Sequence, residues 1–244
     1  QAHDYNVFLC NTDEIAEAEI RNLNSLAAQG VDGIITLATH MGQAAVTTFL
    51  DEYEGIPLVM VNSTIHHPQV SVVRTNNFRG SQIVVEYLVQ KGHRSIGMLT
   101  NVGVRHIQTN RALGFQEALS EHGCRYDMIV AEAPTMDGGY QGTKELLQKY
   151  PEITAVFTYN DLMALGAIRA CHDQGLRVPD DIAVMGFDDT HPGAMSIPSL
   201  STVRIDTFTI GRESMLRMLA LLNEPNQTFP PINLDVQLVL RESA

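Results

Sequence analysis

The chain has 244 residues, 28 of them acidic and 16 basic, so its formal net charge is −12. That length exceeds one average domain without filling two large ones, and it lets roughly 70–75% of the unfolded surface be buried with no disulfide or metal staple. A composition of 44% hydrophobic and 18% charged residues argues against a disordered chain, and the acidic excess counts against these residues holding nucleic acid by themselves.

No run approaches about 18 apolar residues and no charged-then-apolar leader is visible, so neither a membrane span nor a signal peptide is expected. Cys10, Cys124 and Cys171 lack metal-type spacing and leave at least one thiol unpaired, the usage of a reduced, cytoplasmic protein.

Short Val- and Ile-rich runs then alternate with helical patterns. Tyr5–Leu9 reads as a strand and Ala16–Gln29 as a helix stopped by Gly30; Gly33–Leu37 is a strand, Gly42–Tyr53 a helix, and Pro57–Val61 and Val70–Thr75 are strands. Arg79–Lys91 forms a helix closed by Gly92, followed by a strand at Ser95–Thr100 and a loop at Asn101–Thr109. Next come a helix at Asn110–His122, a strand at Met128–Ala133, a helix at Gly138–Lys149, a strand at Ala155–Tyr159 and a helix at Leu162–Gln174. Strands at Ile182–Phe187 and Ser201–Ile205, a helix at Phe208–Leu222, a Pro- and Asn-rich loop at Asn223–Pro231 and a last strand at Leu234–Leu240 complete the order. Glycines after several helices supply the left-handed cap that ends them. Strands apolar on both faces suit a parallel sheet covered by helices, so the alternation predicts an α/β fold with right-handed crossovers.

In open α/β sheets a ligand lies beyond the carboxyl ends of the strands. Polar residues stand there after most of these strands: Asn11 and Asp13, Asn62 and Ser63, Asn76 and Asn77, Asn160 and Asp161, Asp188 and Asp189. The loop at Asn101–Thr109 holds Arg105 and His106, with Arg111 just beyond. Forked and amide side chains read hydroxyls and carbonyls through paired hydrogen bonds. Any single Asn or Asp serves equally well as a helix cap or turn former, but the whole set with two Arg points to a ligand cleft.

Catalytic signatures are missing. There is no Gly-x-Ser-x-Gly elbow, phosphate loop or dinucleotide fingerprint. His66 and His67 are adjacent in a loop, poor geometry for one metal. Asp188-Asp189 can be read as a Mg²⁺ pair, yet a hydroxyl acceptor beside a cap fits better without a phosphate loop. No enzyme activity, cofactor or metal is expected, and with no Trp in the chain any stacking falls to Phe or Tyr.

Longer strings add a resemblance. Ala155-Val-Phe-Thr-Tyr-Asn-Asp-Leu-Met-Ala-Leu-Gly-Ala-Ile-Arg-Ala170 and Gly175-Leu-Arg-Val-Pro-Asp-Asp-Ile-Ala-Val-Met-Gly-Phe-Asp-Asp189 closely resemble the lactose-repressor/galactose-repressor (LacI/GalR) family. Val31-Asp-Gly-Ile-Ile35, Asn77-Phe-Arg-Gly80, Gly92-His-Arg-Ser-Ile-Gly97, Arg111-Ala-Leu-Gly-Phe115, Pro198-Ser-Leu-Ser-Thr-Val203 and Leu240-Arg-Glu-Ser243 match in the same order, across essentially the whole chain.

The resemblance implies an effector-binding core like that of periplasmic sugar-binding proteins: two Rossmann-like lobes with parallel sheets, joined by three crossover strands near Thr75–Asn77, Arg204–Asp206 and Asn233–Val236. The N-terminal lobe would be 1–75 plus 206–234 and the C-terminal lobe 76–205 plus 235–244. A small effector (sugar, sugar derivative or nucleoside-like) would bind between them, and hinge closure would reach an operator-binding domain. By position in the family motifs, Arg111 would be the effector-binding guanidinium, Asp188 the carboxylate acceptor and Asn160 a hydroxyl-reading amide. Arg105 falls where purine-responsive members place an Arg. Substituting Arg111 or Asp188 would weaken effector binding and leave the fold intact, since neither belongs to the inferred core.

Departures bear on the ligand. Asn62 stands where many sugar-binding members have Asp, Asn76 replaces an Asp, Pro134 lies where several place a stacking aromatic, and Ile205 where sugar binders often have Gln. These changes count against a plain galactoside or ribose, and two Arg with a His close together suit an acidic, phosphorylated or carbonyl-bearing ligand better. The family's helix-turn-helix and the first strand–helix unit of its N-terminal lobe have no counterpart in these residues, so a longer natural chain is expected. A homodimer with no membrane partner, reaching operator DNA only through that helix-turn-helix, is the leading expectation; a solute-binding protein of a sugar transporter is the alternative.

Overall fold

The computed structural model describes residues 5–12, 15–37, 41–102, 105–224 and 227–244. The elements run α1 (Ala16–Ala28), β1 (Ile34–Leu37), α2 (Gln43–Glu52), β2 (Leu58–Val61), β3 (Val70–Thr75), α3 (Asn77–Gln90), β4 (Ile96–Asn101), α4 (Arg105–Glu121) and β5 (Ile129–Glu132). They continue with α5 (Met136–Lys149), β6 (Ala155–Thr158), α6 (Asp161–Asp173), β7 (Ala183–Met185), α7 (His191–Ala194), β8 (Thr202–Arg204), α8 (Thr207–Asn223), β9 (Ile232–Leu234) and β10 (Gln237–Val239). Two compact units partition the chain: Gln1–Arg74 with Phe208–Asn233, and Thr75–Thr207 with Leu234–Ala244. The chain thus passes between units three times.

The first unit carries a sheet of order β1-β2-β3-β9, with β1, β2 and β3 parallel. Leu58, Val59, Met60 and Val61 are all buried, which explains why β2 is apolar without alternation: a central strand is covered on both faces. Leu23 and Ala27 from α1 and Val46, Phe49 and Leu50 from α2 pack with Leu58 and Met60. The predicted strand at Tyr5–Leu9 is not one. That segment has no strand pairing, and Val7, Phe8 and Leu9 are exposed. Its apolar residues meet the sequence criterion for a strand, but a strand exists only where a neighbour accepts its backbone bonds. β1 meanwhile ends one side of the sheet, with Ile35 and Leu37 exposed.

The second unit has a fully parallel sheet of order β5-β4-β6-β7. Side chains alternate across it with period two. Ile96 and Met98 of β4, with Phe157 and Met185, meet Val84, Val85 and Leu88 of α3 and Phe115 and Leu119 of α4. Leu99, Val130, Val156 and Val184 meet Leu146 of α5 and Met163, Ala164 and Ala167 of α6 on the other face. Helices α5 and α6 approach so closely that a Cβ at Gly166 would collide with the Met136 carbonyl oxygen, and one at Gly139 with that of Met163. A Cβ at Gly114 of α4 would likewise strike the Phe78 carbonyl of α3.

Three further sequence expectations need correction. The last predicted strand, Leu234–Leu240, is two strands: β9 joins the first sheet, while β10 pairs antiparallel with β8 through Leu238 and Val203. The fourth helix begins at Arg105 rather than Asn110, so the predicted loop at Asn101–Thr109 shortens and Arg105 opens a helix. The short helix α7 was not foreseen; the Thr190 hydroxyl accepts from Gly193 N–H and Pro192 sits in its first turn.

Candidate functional site

The site in the second unit forms where β6 and β7 end and α4 begins. Arg111 lies in the second turn of α4 and is buried. Its Nε donates to Asn77 Oδ1 at 2.9 Å, Nη1 donates to the Tyr159 carbonyl, and Nη2 donates to Asp188 Oδ1 at 3.4 Å. The guanidinium carbon sits 3.7 Å from the Phe187 ring centroid and 4.5 Å from that of Tyr159. An arginine buried this deeply needs such neighbours, since an uncompensated charge out of water is costly. Asn77 is itself fixed, its Nδ2 donating to Thr75 Oγ1 at 2.9 Å.

Guanidinium offers five N–H donors; three are engaged here, leaving one on each terminal nitrogen. Asp188 follows β7 with φ of 112°, its N–H donating to the Val203 carbonyl at 2.8 Å. About a third of its side chain stays accessible, 35% against 6% for Arg111. Burial pushes the Asp188 carboxyl up to about 6, against the pull of Arg111 and with the repulsion of Asp161. Asp188 and Asp189 both hold positive φ, at 112° and 57°, a conformation that non-glycine residues adopt at a cost and that clusters at binding sites.

The two adjacent aspartates diverge. Asp189 accepts from Arg204 Nε and Arg241 Nη2, each at 2.6 Å. Burial pushes its carboxyl up, but those two arginine bonds outweigh it and hold the carboxyl below the ordinary value. The Mg²⁺-pair reading therefore fails, and among the described residues no His, Cys, Asp or Glu cluster could hold a metal. The cap expected beside Asp188 is Thr190 rather than Asp189. Asp161, fully buried, accepts from Thr202 Oγ1 at 2.5 Å and Thr190 N–H at 2.6 Å. Burial raises its carboxyl despite those bonds.

Asn160 caps α6: its Oδ1 accepts from Met163 N–H at 2.9 Å and its Nδ2 donates to the Pro134 carbonyl at 3.2 Å. One amide N–H remains for a ligand. Asn76 is the cap of α3, accepting from Arg79 N–H at 3.1 Å. Arg105 opens α4, but its side chain lies outside the described residues, as does Asp13. Asn62 belongs to the first unit, follows β2 with φ of 53°, and its N–H donates to the Val73 carbonyl at 2.8 Å. Arg111 and Asp188 are thus brought together within the second unit.

Asn77, Tyr159 and Phe187, which hold Arg111, were not singled out from sequence as its partners. One signal was available: in Thr-Tyr-Asn and Gly-Phe-Asp an aromatic immediately precedes the polar residue at adjoining strand ends. Chemically, a forked donor beside a half-open carboxylate suits neighbouring hydroxyls or a hydroxyl next to a carbonyl.

Residues 85–244 match the periplasmic binding protein-like domain. The probable helix-turn-helix-type transcriptional repressor ExuR of Bacillus subtilis strain 168 is 31% identical over 244 residues, covering 99% of this chain and 72% of that protein. A LacI family transcriptional regulator from Enterococcus faecium, solved with bound ribose, superposes with a TM-score of 0.86 at 27% identity, over 97% of this chain and 86% of that one. The lac repressor dimer bound to operator and an anti-inducer gives 0.83 at 27% identity, over 93% and 79%.

Proposed function

The chain belongs to the LacI/GalR family of transcription regulators, and on that premise we propose that Arg111 and Asp188 are its effector-reading pair. It is the ligand-sensing core of a regulator, and repressor relatives set aside the transporter reading. The observation that carries the assignment is the buried guanidinium with two spare N–H groups beside a half-open carboxylate. Asn160, Arg105 and Asn62 complete the proposed ligand set. The effector is a sugar, sugar derivative or nucleoside-like molecule, because donor and acceptor side by side match vicinal oxygens.

We assign the lobes to 1–75 plus 206–234 and 76–205 plus 235–244, and read the protein as a non-catalytic cytoplasmic homodimer. Operator contact falls to a helix-turn-helix outside these 244 residues, in keeping with their −12 charge. For the dimer contact we favour the exposed apolar residues Leu162, Met195 and Ile197 on and beside α6 and α7, since covering exposed apolar side chains favours association.

Thermal-shift screening against sugars, sugar phosphates, sugar acids and nucleosides identifies the effector, because a ligand of the native state stabilises it by mass action. Calorimetry then tests the pair. Arg111→Lys and Asp188→Asn are each expected to weaken the identified effector by about 2 kcal/mol, roughly thirtyfold, the usual loss for a truncated charged hydrogen bond. Unchanged affinity in both variants would remove the assignment.

A further inference from the structure

A groove of about 400 Å³ lies wholly within the first unit, on the β3 side of its sheet. Val70, Val72, Ile65 and Phe229 give it apolar walls, Arg74 supplies a permanent cation, and His66 and His67 also line it. Val70, Val72 and Arg74 alternate along β3 and so share one face of the sheet.

Arg74 is half-buried and lacks a counter-ion. Its Nε donates to the Ser63 carbonyl at 2.9 Å, its Nη2 is buried with no hydrogen-bond partner, and among the described residues no carboxylate pairs with it. By contrast, Arg111, Arg125, Arg177, Arg204 and Arg241 each pair with an Asp. Phe229, at the groove wall, also stacks under the guanidinium of Arg217, 4.9 Å from the ring centroid. Arg217 Nη1 is a second buried N–H without a partner. Partly desolvating a guanidinium with no anion is unfavourable, so an anion reaching it recovers that cost.

We propose that this groove is a second small-molecule site, taking a monocarboxylate with a compact apolar body. With Nε on the Ser63 carbonyl and Nη2 buried, a carboxylate meets Arg74 through Nη1, and the apolar body covers Val70, Val72 and Phe229. Phosphate is the competing anion, since His66 and His67 also line the groove, but its charged oxygens gain nothing from the apolar walls at Val70, Val72 and Phe229. The volume lies in the range of small-ligand pockets. This site is separate from the Arg111–Asp188 pair, and neither assignment depends on the other.

The test uses benzoate as probe and benzamide, its uncharged counterpart, as control, with the ¹⁵N-labelled full chain followed by NMR. Benzoate is expected to give saturable shifts confined to residues 65–74 and 229–232, and benzamide to bind at least tenfold more weakly. Arg74→Gln should weaken benzoate at least tenfold, with Arg74→Lys between. Arg74 also holds the Ser63 carbonyl; if its variants do not fold, the wild-type comparison of benzoate with benzamide decides alone. Equal responses to the two probes, no saturable shift, or shifts centred on Arg111 and Asp188 would each overturn the proposal.

Discussion

Two roles meet at Arg111 that the sequence separates poorly: the proposed reading of an effector, and the holding of its own unit together. The expectation that its removal spares the fold is corrected by its burial and by its bonds to Asn77, Tyr159 and Asp188. Arg111→Ala strips two aromatic faces of their cation and takes the donor from three acceptors, so urea unfolding should show a loss of about 3 kcal/mol. Asp188 acts in the opposite sense. Its carboxyl rises in the folded state from the ordinary 3.8 to about 6, so folding favours its protonated form. That contribution is full below about pH 4 and lost as pH rises through 6. Asp188→Asn should therefore gain stability relative to wild type between pH 4 and 7, in paired urea titrations, and a pH-independent difference would contradict the shift. Arg111 and Asp188 were legible because each ends or follows a patterned segment. Their holders were not, since the bonds join residues 34, 48 and 77 positions apart, and only the folded sheet brings those positions together.

Among the elements, glycine separates helix propensity from packing. Gly211 lies at an exposed position of α8 with nothing within 4 Å of an added Cβ, whereas Gly114 and Gly166 face backbone carbonyls of neighbouring helices. Gly211→Ala should stabilise by about 0.5–1 kcal/mol, as helix propensity dictates. Gly114→Ala and Gly166→Ala gain the same propensity but force helices apart, and should lose about 2 kcal/mol or more by thermal or urea unfolding. Helix existence was readable from periodicity and from cap glycines such as Gly92 and Gly175, both at positive φ. Pairing was not readable. Tyr5–Leu9 has the residues of a strand but no strand partner, and Leu234–Leu240 is one predicted strand divided between two sheets. Both failures concern partners, which local pattern does not encode.

For the molecule as a whole, the proposed dimer gives the next prediction. Ile197 is 94% and Met195 70% exposed, so Ile197→Asp should cost little in the monomer while placing a charge in the contact. Light scattering should then report half the mass of the wild type at equal concentration; an unchanged mass would move the contact elsewhere. The alternation of apolar strands with helices made the α/β architecture legible, whereas the groove around Arg74 left no trace in sequence, because a missing counter-ion is visible only once every neighbour is in place. The three passages of the chain between units carry a consequence for synthesis. The sheet of the first unit needs β9, from residues 232–234, while all four strands of the second unit's parallel sheet have been made by residue 185. On the ribosome the usual order is inverted: the unit encoded first waits, its apolar β3 edge uncovered, until the unit encoded second has its sheet. Chaperone demand should accordingly peak midway through translation and fall when β9 emerges.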